Sequence, residues 1–332
     1  MIILYKTINL EKGMYQTYNK SFTEILEDLD PTINYKNTEL EKLDAYQRQL
    51  KRFDIKVNGK NSDQVEKFFM NSQSSVLFPE FMARSVKKGI IDAWVLDNII
   101  SVKTMSLNLD YRPITLTNTI IPTAPINEGN EIPSLDIRTE SNVVSLNKHG
   151  KVVTASYETL RFQNLEVFSV ILGKIGRDIA KEELIEATTV LDDGADVINV
   201  TGVSDDSLTY DYLLQLWEAV SPYEMNVMLA SSSTIHDILS LDEMKDATAG
   251  LDFHASGRLV TPLGSLLVRS ESLPRGSIIG FDKKCALQLI QYGDINMDVN
   301  KIIDKQLDEC ALTITAAFNK LFDESVKKLV YA

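Results

Sequence analysis

The stretch from Ser156 to Asp192, SYETLRFQNLEVFSVILGKIGRDIAKEELIEATTVLD, contains no proline and repeats its apolar residues at helical spacing through Phe168, Ile171, Ile175 and Ile179. Leu172, Leu184, Ala187 and Leu191 widen that stripe. Lys174, Arg177, Asp178, Lys181, Glu182, Glu183 and Glu186 fall on the opposite face, at spacings that favour salt bridges. Gly194 supplies the stop. Counted from Leu165 at a rise of 1.5 Å per residue, the helix is roughly 40 Å long, well beyond the ordinary globular helix. It is either a long core helix or the spine of a flat, elongated subunit. Gly173-Lys174-Ile175-Gly176 lacks the ending of a phosphate loop, so its glycine pair is expected to let another element approach closely.

Working outward, 332 residues with 44% hydrophobic content can bury a sizeable core in two or three domain-sized parts. The first residues make too short an apolar run for a secretory signal, and Val167 to Leu172, the longest such run, cannot span a bilayer; a soluble cytoplasmic chain without membrane contact is expected. A net charge of -13 argues against a protein whose task is to grip nucleic acid, because that affinity comes from lysine and arginine on phosphates. Cys285 and Cys310 match no zinc or redox spacing and read as reduced packing thiols.

Residues 1–77 are polar and heterogeneous, and are expected to form an arm and not a compact domain. Within it Leu43, Tyr46, Leu50 and Phe53 recur at helical spacing, so a short amphipathic helix can dock on the body or on a partner. Asp30-Pro31 and Asn58-Gly59 mark turns. Phe78-Pro79-Glu80-Phe81 opens a helix whose apolar side is Phe81, Met82, Val86 and Ile90, and compact structure is expected to begin there. Ile99 to Leu109 alternates as a strand, and Pro113 to Pro125 is extended.

Residues 132–157 read as a long β-hairpin, with one run through Ile132, Leu135 and Ile137 and another through Val152, Val153, Ala155 and Tyr157. Asn147-Lys148-His149-Gly150-Lys151 would be its polar tip. Its arms carry polar residues on both sides and so have little to bury in their own subunit. An isolated hairpin is marginal in water, so it is expected either to lie on another chain or to pack on its own domain. After the long helix, Val197 to Val200 and Asn226 to Leu229 read as strands, with helices at Leu208 to Val220 and Thr234 to Leu241. Leu259 to Val268 and Ser277 to Phe281 give further strands around Pro274-Arg275-Gly276, and Cys310 to Phe318 alternates as a strand. The whole is a mixed α and β chain.

Catalytic patterns are weak. His149, His236 and His254 are scattered and form no metal spacing. His236, Asp237 and Ser231 to Ser233 lack a nucleophile elbow. Asp192, Asp193, Asp196, Asp205 and Asp206 lack the calcium-loop spacing and read as a solvated loop face. No cofactor is expected.

The arm, the Phe78-Pro79-Glu80-Phe81 helix start, the hairpin with Lys148 and Lys151, and the spine helix follow one another in an order that resembles tailed-phage major capsid proteins of the HK97 fold. LKRFDIKVNGKNSDQVEKFF (50–69), SSVLFPEFMARSVKKGI (74–90) and IIDKQLDECALTITAAFNKLF (302–322) resemble capsid proteins of phages infecting Firmicutes. The resemblance implies an α+β chain with an N-terminal arm (1–77), a P domain beginning at 78–127, an extended E-loop (128–157) and the spine helix (158–196). An A domain (197–290) and a segment returning to the P domain (291–332) complete it.

The family implies pentamers and hexamers closing an icosahedral head around double-stranded DNA held without sequence preference. Scaffold, portal and maturation protease would be partners, and assembly would take place in the host cytoplasm. Some members cross-link an E-loop lysine to a neighbour's asparagine, a role for which Lys148 or Lys151 is placed; Asn147, Lys148, His149 and Lys151 at the hairpin tip are the candidate assembly residues. An encapsulin-like compartment shell is the nearest alternative. An acidic α/β enzyme using carboxylates such as Asp205 and Asp206 is the alternative from another class.

Overall fold

The computed structural model describes residues 6–16, 20–116, 128, 136–156, 162–199, 208–245, 259–261, 263–293, 295–302 and 307–331. Its helices are α1 (Phe22–Leu29), α2 (Ala45–Arg52), α3 (Glu66–Phe69), α4 (Phe78–Asp92), α5 (Leu165–Asp192), α6 (Tyr210–Ala219), α7 (Ser232–Leu239) and α8 (Asp242–Lys245). The strands begin with β1 (Val102–Ser106), β2 (Asp110–Tyr111), β3 (Ile114–Leu116), β4 (Ile137–Thr139), β5 (Val144–Ser145) and β6 (Asn147–Ser156). They continue with β7 (Asp196–Asn199), β8 (Val227–Ala230), β9 (Leu266–Arg269), β10 (Ser277–Phe281) and β11 (Leu287–Tyr292). β12 (Asn296–Ile302), β13 (Leu307–Lys320) and β14 (Val326–Val330) close the series. Two compact units result: Met1–Trp94 with Gly150–Ala180 and Ile295–Thr313, and Val95–His149 with Lys181–Asp294 and Ile314–Ala332.

In the first unit the segment expected to be an arm is folded. Ser21 with Glu24 and Asp44 with Gln47 make capping boxes that start α1 and α2. These helices bury Phe22, Leu26, Tyr46 and Leu50 alongside Leu40, Val65 and Phe68. Arg48 is fully buried: its Nε donates to Asp30 Oδ2 at 3.0 Å, one Nη donates to the Leu43 carbonyl at 2.6 Å, and the guanidinium lies over the Tyr35 ring. The polarity that made this segment look like an arm is spent on caps and on this internal ion pair.

α4 starts with proline in its first turn and buries Phe78, Phe81, Met82, Val86 and Ile90. Phe68, Phe78, Phe81 and Phe168 form one aromatic cluster, with Phe78 stacked on Phe168 at 6.1 Å. Farther along, a β-carbon on Gly89 would fall on the Gly173 carbonyl, and one on Gly176 would fall on the Val86 carbonyl. The glycine pair therefore does what its place in the helix foretold, letting the α4 and α5 backbones touch.

α5 has 28 residues, about 42 Å. Its buried face runs through Phe168, Leu172, Gly176, Ile179, Glu183, Ala187 and Leu191. Two expectations need correcting. Ile171 is 50% exposed and Ile175 only partly covered, because Gly176 occupies the contact. Glu183, expected on the charged face, is buried; it lies four residues after Ile179 and four before Ala187, on the inner stripe.

The first unit also holds the antiparallel pairing of β12 with the first half of β13, from Asn296 opposite Thr313 to Ile302 opposite Leu307. β6 also pairs with β13. A β-carbon on Gly150 would strike the Leu312 carbonyl, so this glycine serves a close strand approach and not a turn.

In the second unit, β7, β14, β10, β8 and β9 follow one another across a mixed sheet, with β14 parallel to β7 and antiparallel to β10. Its core includes Leu213, Leu216, Met228, Ile278 and Leu329, with α6 and α7 contributing Tyr212 and Ile235. The last strand, expected to return to the P domain, thus lies between strands of the expected A domain. β11 pairs in parallel with β1 and antiparallel with the second half of β13.

Candidate assembly surface

The expected hairpin does not form as read. Residues 132–135 lie outside the described residues, and Ile137–Thr139 pairs with Ile114–Leu116, not with the run at 152–157. β5 pairs with β2, Asp110 opposite Ser145 and Tyr111 opposite Val144. Backbone bonds from Leu146 N to Leu109 O and from Glu140 N to Pro113 O, both 2.9 Å, extend the two ladders. Together they make a ribbon whose arms are 109–116 and 137–146, interrupted where Pro113 has no N–H to give. Its arms therefore begin upstream of the span read from the sequence. The run from Val152 to Ala155 is strand, within β6, but its partner is β13, and Tyr157 lies outside the described residues.

Several apolar residues of the ribbon and of the segment just before it point to solvent, while Pro113 is buried and Tyr111 Oη accepts from Gln288 Nε2 at 3.0 Å. Leu107 is 92% exposed, and Leu109, Ile114, Ile137 and Val143 are exposed too, as are Val102 and Met105 on β1. A two-stranded ribbon has no second layer of its own, so folding of the single chain leaves much of this apolar surface in water. The sequence runs Ile99 to Leu109 and Pro113 to Pro125 carried the signal for the upstream arm. What they lacked was any sign of their partner.

The four candidate residues sit at the start of β6. Asn147 Nδ2 donates to Glu186 Oε1 at 2.6 Å, and His149 Nε2 lies 2.6 Å from Glu186 Oε2. These two are thus engaged within their own chain and are not at a tip. Lys148 is exposed, and Lys151 is partly buried.

Glu183 lies one turn from Glu186, 1% exposed, with no hydrogen-bond partner on either carboxyl oxygen among the described residues. Burial first, and the Glu186 charge second, push its carboxyl up to about 7, while Lys103 draws it down.

The acidic residues after the helix are matched by C-terminal lysines. Asp192 pairs with Lys328 at 2.6 Å and Asp196 with Lys327 at 2.5 Å, which holds the Asp196 carboxyl below its ordinary value. Lys320 Nζ donates to the Asp193 carbonyl at 2.5 Å. Asp205, Asp206 and His254 lie outside the described residues. His236 does not form a triad: Asp237 accepts from Arg275 at 3.2 Å and from Tyr331 at 3.4 Å, while Ser231 bonds Thr234 at 3.0 Å. No described helix is long and apolar enough to cross a membrane.

This architecture, a long helix crossed tightly by a shorter one, a mixed sheet and an uncovered ribbon, is the HK97 fold of phage capsids and encapsulins. The virus-like particle from Pyrococcus furiosus matches 75% of this chain and 98% of its own with a TM-score of 0.52 and 10% identity. The capsid of cyanophage P-SCSP1u gives 0.52 and 13% identity over 72% of this chain and 88% of its own. The holo-SrpI encapsulin complex from Synechococcus elongatus PCC 7942 gives 0.50 and 14% identity over 72% and 86%. No protein-family profile and no curated protein sequence matches the chain.

Proposed function

We propose that this chain is a major capsid protein, whose copies form the pentamers and hexamers of an icosahedral phage head around double-stranded DNA. The observation that carries this reading, beside the fold, is the ribbon with its outward apolar residues. Covering a leucine or isoleucine completely is worth about 1.5–3 kcal/mol. A closed symmetric assembly repeats that gain at every subunit. Lys148, exposed next to the ribbon, belongs to the same candidate contact surface. The net charge of -13 suits a wall over which packaged DNA slides without sticking. Scaffold, portal and protease would be its partners during assembly in the host, with the virion as its final place.

The encapsulin likeness supports a second reading, a compartment shell around a cargo protein. Residues 20–77 pack into a compact unit and do not separate the two readings. The carboxylates on which an acidic enzyme was considered, Asp205 and Asp206, lie outside the described residues.

Electron microscopy and light scattering of the purified chain test the shell; closed particles or capsomers are expected, and monomer under every salt and crowding condition tried overturns it. Nuclease-protected DNA inside particles from phage-producing cells supports the phage head, whereas a protein cargo without DNA supports the compartment.

A further inference from the structure

The turn of α5 that carries Glu183 and Glu186 treats its two carboxylates differently. Glu186 reaches the start of β6, where Asn147 and His149 both meet it at 2.6 Å. Residues two apart on a strand project to one side, so a single carboxylate can hold both. Glu183, by contrast, is buried with both oxygens unpartnered. A charge in such a place is costly, and taking up a proton removes the cost. The charged and titratable groups acting on Glu183 are Glu186 on its own helix and Lys103 on β1. His149 on β6 is linked to it through Glu186.

We propose that this turn is a proton-controlled latch: with Glu183 neutral, Glu186 holds Asn147 and His149 against α5, and with Glu183 charged two neighbouring carboxylates share a water-poor site and the start of β6 is released. β5 ends at Ser145 and β6 begins at Asn147, so the part freed is the root of the ribbon. The latched carboxyl titrates at about 7, against 4.5 for an ordinary glutamate. Release therefore grows between those two values, by up to about tenfold per pH unit, and levels off above about pH 7. The latch is a property of the single chain and does not rest on the shell reading.

Hydrogen–deuterium exchange on the full-length protein, corrected for the intrinsic pH dependence of amide exchange, tests it. Between about pH 5 and 8, protection at residues 144–149 should fall tenfold or more and level off near pH 7. Glu183→Gln, which keeps the shape and cannot ionise, should show a flat profile there. Unchanged protection in the parent overturns the latch, as does a Gln variant with the parent's slope or a loss spread evenly over the chain. If the variant does not fold, carbon NMR of the Glu183 carboxyl in the parent decides: a midpoint near 7 supports the latch, and one near 4.5 overturns it.

Discussion

Residues 20–77 and the ribbon of 109–116 with 137–146 read alike in the sequence, each polar and each without an evident core of its own. The structure separates them. The first hides an arginine among Asp30, Thr32 and the Leu43 carbonyl, while the second leaves leucine and isoleucine in water. Polarity alone therefore says little about which side of a protein a residue takes. What counts is whether the polar group finds a partner inside and whether the apolar one finds a second layer.

Removing the partner gives the largest expected effect. Arg48→Leu leaves Asp30 buried and unpaired, and should cost about 3–5 kcal/mol in denaturant unfolding. A loss under about 1 kcal/mol would mean that the segment is an arm after all.

Glu183 is the opposite case, a buried carboxyl without a hydrogen-bond partner among the described residues. Its folded-state value lies above the unfolded one, so the folded chain binds more protons between pH 4.5 and about 7. Its contribution is full below 4.5, declines as pH rises through that window and is lost above it. The shift corresponds to about 3 kcal/mol. Glu183→Leu should accordingly be stabler than the parent by about 3 kcal/mol at pH 8, with the gap closing toward pH 5 in thermal melts. A gap that does not change with pH would place the titration elsewhere.

Gly89→Ala drives a methyl group into the Gly173 carbonyl where α4 crosses α5; overpacking of this kind costs about 1–3 kcal/mol, visible as a lowered melting midpoint. Smallest for the subunit, and most telling for the ribbon, is Leu107→Ser with Ile137→Ser. Both sites are exposed, so unfolding of the single chain should move by no more than about 0.5 kcal/mol. Assembly should weaken at least tenfold, since about 1.4 kcal/mol per contact is a factor of ten. Destabilisation of the lone subunit would show that the ribbon has a core within its own chain.

The long helix, the proline-started helix before it and the strands β7, β8, β10 and β13 were legible because period, caps and breakers act within a few residues, whereas β11, β12 and β14 went unread. So was the meaning of Gly173 and Gly176, since a glycine pair inside a strong helix needs a reason. Strand partners were not legible: β6 alternates equally well beside the 137–139 run or beside β13, and nothing local distinguishes the two. Glu183 was misplaced for another reason. Residue type outweighed its phase on the helix, although four residues on either side of it are Ile179 and Ala187. Arg48 escaped notice because its partners Asp30 and Thr32 come from a different segment. A strand pair with little core of its own is present, but its arms begin at 109 and not at 132 as read from the sequence.

The position of β14 between β7 and β10 bears on how the protein is made. Lys327 sits beside Asp196, 131 residues earlier in the chain. At a synthesis rate of roughly 5–20 residues per second, β7 waits about 7–26 s for its only neighbour in the sheet among the described residues. Ile295–Thr313 likewise comes late to the first unit. A chain broken off before residue 314 therefore lacks β14 and the second half of β13, and cannot complete its second unit. An interrupted product is thus left with an unfinished sheet, β7 lacking the strand it pairs with.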